Sequence, residues 1–145
     1  MRNDPATEAW LCIIQLTQGD ENRRRFFEAA TALDANPSLL RGLLCLAPDE
    51  EKPMRALVEE WNCDPSWVTS VVDELEQRGW AERRADAVDR RAKTVVLTDL
   101  GDQERQRAFA FLGVPPRGIA ALSAGEQRTL RDLLRKATAD LPPLR

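Results

Sequence analysis

Between residues 81 and 98 the chain reads AERRADAVDRRAKTVVLT, and its chemistry is cationic: Arg83, Arg84, Arg90, Arg91 and Lys93 stand against Glu82, Asp86 and Asp89. Guanidinium and ammonium groups at this density suit phosphate oxygens, arginine through a planar fork and lysine as a point charge. The local positive excess sits in a chain whose formal net charge is -3. That is no obstacle, because salt confines each charge to about 8 Å at physiological ionic strength and a partner meets the local potential, not the total. Upstream, Ser66, Thr69 and Ser70 place hydroxyls around Trp67. Short hydroxyl side chains at a helix start reach phosphates and base edges, and an indole stacks on sugar or a thymine methyl or packs on its own lobe.

Other chemistries find little to work with. Histidine is absent from the 145 residues, which removes the commonest general base and the commonest metal ligand. No GxGxxG, GxxxxGK[ST] or GxSxG occurs, so phosphate-cradling loops and a nucleophile elbow have no support. The expectation is no enzyme, no cofactor and no metal. Cys12, Cys45 and Cys63 are odd in number, far apart and free of CxxC spacing, so they are read as reduced thiols. Cys12, inside Trp10-Leu11-Cys12-Ile13-Ile14, is read as a buried small hydrophobe and not as a sensing thiol. No apolar run approaches the roughly 18 to 20 residues of a bilayer span, and the polar start is unlike a signal peptide. A cytoplasmic protein without a membrane partner is expected.

The elements that must carry the cationic segment are legible from periodicity. Asp4 and Pro5 start a long helix with an interruption near Gly19, and residues 37–47 form a short helix apolar on most sides. Met54, Leu57, Val58 and Trp61 mark an amphipathic helix from about Pro53. Asn62-Cys63-Asp64-Pro65 then turns the chain into a helix with Val68, Val71, Val72 and Leu75 on one face, ended by Gly79. Two short helices and a tight turn make a helix-turn-helix. Extended pieces at roughly 80–84 and 94–97 follow, with ADAVDRRAK between them, and a helix-turn-helix with such a basic ribbon is a winged helix. Thr98 caps a helix to about Leu112, and Ser123 with Glu126 forms a capping box before Leu130, Leu133 and Leu134. The predicted class is mainly α with a small β-ribbon (α+β): a winged helix-turn-helix with a helical dimerisation domain. Its order is α, α, α, α, β, β, α, α. One polypeptide unit is expected from the length, and Arg23, Arg24 and Arg25 are read as a solvated face or a salt bridge to a partner.

VTSVVDELEQRGWAERR, DRRAKTVVLTDLG and LSAGEQRTLRDLL resemble, in turn, the recognition helix, wing and C-terminal helix entry of the MarR family of transcription regulators. The resemblance covers most of the chain and is strongest over residues 54–101. It implies a homodimer with intertwined terminal helices, residues 1–36 and 99–145, and winged lobes, residues 37–98, presented to double-stranded DNA. In the family's D-x-R pattern the aspartate orients the arginine for the minor groove, which here implies that Asp89 orients Arg91. DNA contact is accordingly expected from Ser66, Trp67, Thr69, Ser70, Arg83, Arg84, Asp89, Arg90, Arg91 and Lys93. Dimerisation is expected through Trp10, Ile13, Ile14, Leu130, Leu133 and Leu134, apolar stripes that a lone lobe leaves uncovered. The resemblance also implies a repressor role and a small-molecule effector. The chain departs from the pattern at Asp73 and Glu74, which make the recognition helix acidic, and in a wing without proline or glycine. The acidic helix leaves a second reading, a winged-helix module that binds a protein partner.

Overall fold

The computed structural model describes residues 4–89 and 91–141. Helix α1 (Pro5–Gln18) starts where the Asp4 carboxylate accepts the N–H groups of Ala6 and Thr7, and it stops at Gly19, whose extended backbone also begins α2 (Asp20–Ala32). The break near Gly19 thus divides the long helix in two. Helix α3 (Pro37–Cys45) is capped by Asn36 and buries Leu39, Leu40, Gly42 and Leu43, as its all-round apolar pattern requires.

Helix α4 (Met54–Trp61) ends in Asn62, which takes the left-handed conformation (φ 47°, ψ 49°) that asparagine tolerates better than most residues. Helix α5 (Pro65–Gln77) follows, with Asp64 accepting the Ser66 N–H at 2.8 Å and proline in its first turn. Its stripe of Val68, Val71, Val72 and Leu75 is buried against the leucines of α3 and Leu57 of α4. Gly79 stands at φ 69° after the helix, and the Trp80 N–H returns to the Leu75 carbonyl at 2.8 Å. That closure reverses the chain into the ribbon and needs the freedom of glycine.

The ribbon is strand β2 (Ala81–Ala85) paired antiparallel with β3 (Lys93–Leu97), in a register running from Ala81 opposite Leu97 to Ala85 opposite Lys93. A third strand, β1 (Lys52–Pro53), joins the other side of β3, giving the order β1-β3-β2. Two residues before a helix carry no alternation, so this strand is invisible to periodicity. Helix α6 (Asp99–Leu112) is capped by Thr98 and seats on the lobe through Gly101, where a Cβ would lie 1.9 Å from the Trp80 carbonyl oxygen. A short helix α7 (Arg117–Ala120), unmarked by any periodicity, precedes α8 (Ala124–Ala137), whose Ser123–Glu126 capping box forms as expected.

Two expectations change. Cys12 is exposed, because α1 buries none of its residues in the single chain. Arg25 is no solvated cation: its guanidinium holds Glu21 at 2.8 Å and donates to the Val114 and Pro115 carbonyls, tying α2 to the link between α6 and α7. Among the described residues, no helix is long and apolar enough to cross a membrane, and no group of three or more acidic or cysteine residues is arranged to hold a metal.

Candidate nucleic-acid interface

The exposed face of α5 carries the predicted hydroxyls. Ser66 Oγ donates to Asp64 at 2.5 Å, Thr69 Oγ1 to the Pro65 carbonyl at 2.9 Å and Ser70 Oγ to the Ser66 carbonyl at 3.0 Å. All three side chains are solvent-facing and keep acceptor capacity, since each uses its one proton inward. The Ser66 hydroxyl and N–H hold the Asp64 carboxyl below the usual aspartate range, so the cap is ionised at neutral pH. Trp67 is half-buried, edge-on to Trp61 with ring centres 5.8 Å apart, and the Arg41 guanidinium lies 5.7 Å from its ring. It packs on the lobe and offers one edge outward.

The cations of the ribbon fall into two groups. Arg83 is clamped to α5: its guanidinium meets Asp73 at 2.5 Å and Glu76 at 2.6 Å, and its backbone N–H donates to Glu76 at 3.1 Å. These bonds hold Glu76 below the usual glutamate range, the backbone N–H being the largest cause. Arg84 is likewise engaged, by Glu82 at 2.6 Å and Glu51 at 3.2 Å. By contrast Arg91 and Lys93 are exposed, and neither side chain has an ion pair among the described residues. Arg90 lies outside the described residues.

The turn that carries Arg91 is built by carboxylates. Asp86 accepts the N–H groups of Val88 at 2.8 Å and Asp89 at 3.1 Å, which keeps its carboxyl below the usual range. Asp89 in turn accepts the Arg91 N–H at 3.0 Å. So Asp89 meets Arg91 through the main chain, fixing the direction in which the side chain leaves the turn. Stacked Asx contacts of this kind stand in for the missing proline or glycine.

Sequence reading missed the partners and one cation. Glu76 and Glu51 carry no local signal, because their arginines are distant along the chain and meet them only through the fold. Arg55 at the start of α4 is exposed and lines, with Asp86, Val88, Asp89 and Lys93, a hollow of about 410 Å³ beneath the wing turn. The acidic residues of α5 also have partners within the lobe: besides Asp73 and Glu76 on Arg83, Glu74 accepts from Asn36 at 3.1 Å and pairs with Arg78 at 3.4 Å.

The dimerisation candidates form no such cluster in one chain. Trp10 is 60% exposed and Leu133 61%, Ile13, Ile14 and Leu130 are half-buried, and α8, like α1, has no buried residue.

Residues 36–93, which span α3 to the start of β3, match the model of the MarR family. The transcriptional repressor MprA of Escherichia coli K12 is 29% identical over 141 residues, covering 90% of this chain and 74% of its own. Apo MarR from E. coli superposes with a TM-score of 0.71 at 24% identity, over 90% of this chain and 94% of that one. The F27L mutant of MepR from S. aureus, solved bound to an oligodeoxyribonucleotide, superposes with a TM-score of 0.63 at 19% identity, over 94% and 99%. The matched segment, the curated relative and the superposed structures thus agree on one likeness: the winged lobe is similar to that of the MarR family, and the fold of the described chain is the one its solved members share.

Proposed function

We propose that this protein is a transcriptional regulator of the MarR type, a homodimeric repressor that binds palindromic duplex DNA, with residues 37–98 as the DNA-binding lobe and residues 1–36 and 99–145 as the dimerisation region. The observation that carries the reading is that Arg91 and Lys93 are exposed and without an ion pair among the described residues, in a lobe whose Arg78, Arg83 and Arg84 are held by its carboxylates and whose α5 exposes its hydroxyls. A recognition helix entering the major groove would set Ser66, Thr69 and Ser70 against phosphates and base edges, while Arg91 follows the adjacent minor groove. The repressor role is supported by likeness to MprA, and the DNA partner by the oligonucleotide-bound MepR structure. A soluble cytoplasmic dimer is the form in which such a protein meets DNA.

A small-molecule effector fits the open groove of about 490 Å³ between α2, α3 and the start of α5, lined by Phe26, Ser38, Arg41, Cys63 and Trp67. One wall of this groove is the recognition helix itself, so a ligand that shifts Trp67 shifts the DNA-reading face. The second reading, a module for a protein partner, loses its motive once Asp73, Glu74 and Glu76 are neutralised within the lobe.

The test is Arg91→Ala on a selected duplex. Loss of one specific contact weakens binding by about 1 to 3 kcal/mol while the protein stays folded, and Asp89→Ala acts in the same direction by loosening the turn. Wild-type affinity for Arg91→Ala across a salt titration would remove the wing from the interface.

A further inference from the structure

Arg83 sits where a phosphate ligand is expected, yet both terminal guanidinium nitrogens and the backbone N–H are in use. Its two guanidinium arms are divided between Asp73 and Glu76, and its backbone N–H joins them on Glu76. Strand β2 is the edge of the sheet, paired only with β3 among the described residues, so this N–H points away from the ladder and would otherwise be unpaired. Asp73 and Glu76 lie three apart on one face of α5, and a single planar fork spans both. To reach a phosphate Arg83 would have to give up two charge-assisted bonds, while Arg91 gives up none among the described residues.

We propose that Arg83 is a positioning residue, not a DNA ligand: it clamps the wing to the recognition helix, and Asp73 and Glu76 serve DNA recognition although they carry the wrong charge for it. The inference rests on the DNA-binding reading above. The wing turn hangs from β2 and β3, so the tilt of β2 against α5 sets where Arg91 stands when the helix lies in its groove. Fixing that tilt before binding removes the ordering cost of seating two elements on one duplex at once. Of the two acidic residues at which the helix departs from the usual basic pattern, Asp73 is then explained by its use in the clamp, while Glu74 is held by Asn36 and Arg78.

The clamp and simple electrostatics predict opposite signs. Replacing Asp73 and Glu76 by Asn and Gln removes two negative charges from the lobe. If charge alone mattered, every duplex would bind more tightly, most of all at low salt. The clamp predicts weaker operator binding.

The experiment uses the full-length dimer and a duplex selected with the wild type, with affinities for operator and random duplex measured across a salt series. For Asp73→Asn/Glu76→Gln the ratio of operator to random affinity falls by about tenfold, and random-duplex affinity holds or rises. Asp73→Asn alone, which keeps both Glu76 bonds and so the fold, shifts the ratio in the same direction by a smaller factor. Arg83→Met lowers the same ratio and leaves the salt dependence of operator binding unchanged, because no phosphate contact is lost. Two outcomes overturn the inference: unchanged or tighter operator binding by both carboxylate variants, or an Arg83→Met that weakens operator and random duplex alike and reduces the salt slope by about one, the mark of a phosphate contact. If the wild type binds no duplex at low salt, the DNA-binding reading itself fails and the inference goes with it, a result separable from both.

Discussion

Arg105 shows how far a single residue can stand from its ideal surroundings. It is 5% exposed on the lobe-facing side of α6, and its Nε and Nη2 have no hydrogen-bond partner among the described residues. The Asp102 carboxylate is 3.7 Å from Nη1, and the guanidinium lies 4.8 Å from the Phe109 ring. A face-on ring offsets about 0.5 to 2 kcal/mol of the desolvation, less than burying an under-bonded charge costs. Arg105→Met keeps the unbranched bulk and removes the charge, so it is expected to raise unfolding stability by about 1 kcal/mol or more in urea titrations at fixed protein concentration. A loss of that size instead would mean that the guanidinium is bonded in the assembled protein.

At the scale of elements, the contact between α5 and β2 is polar and is therefore sensitive to acid. Glu76 is held below the ordinary glutamate value of 4.5, through the Arg83 N–H first and the guanidinium second. A carboxyl depressed on folding contributes stability that is fully present above its unfolded pKa and is lost as pH falls through the folded one. Asp64 and Asp86, both below the usual 3.8, act in the same direction at the helix cap and the wing turn. Melting temperature should accordingly be insensitive to these groups from neutrality to about pH 4.5, then decline, and Glu76→Gln should flatten part of that decline. Parallel declines for the two proteins would contradict the assignment. The elements themselves were largely legible: Asp4, Asp64, Thr98 and Ser123 cap where their types and following residues say, because capping is a local matter. Strand β1 and helix α7 were not, being two and four residues long and held by neighbours instead of by pattern. The candidate site divided the same way. Exposed hydroxyls on α5 follow from helical spacing and the link of Asp89 to Arg91 from the family resemblance, whereas the engagement of Arg83 by Asp73 and Glu76 depends on how a helix end meets a strand edge. The burial expected of Cys12 failed for a related reason: an apolar sequence context reports what a residue can pack against, and in one chain α1 packs its apolar side against nothing that covers it.

For the whole molecule, the exposed apolar stripes of the first and last helices decide how it assembles. Trp10 and Leu11 on α1 and Leu133 and Leu134 on α8 stand exposed on two helices that bury no residue in the single chain. Pairing about a two-fold axis would cover them, and removal of residues 119–145 is expected to abolish dimer formation and specific DNA binding together, as read by sedimentation and by titration of the selected duplex. Two lobes so related would present their α5 helices to successive major grooves on one side of the duplex. The most direct measurement is a hydroxyl-radical footprint of the intact protein on a duplex selected from random DNA. Two-fold pairing of the lobes predicts an inverted repeat with two protected half-sites whose centres are ~10 to 11 base pairs apart; a footprint over one half-site without symmetry, or no protection at low salt, would rule that pairing out.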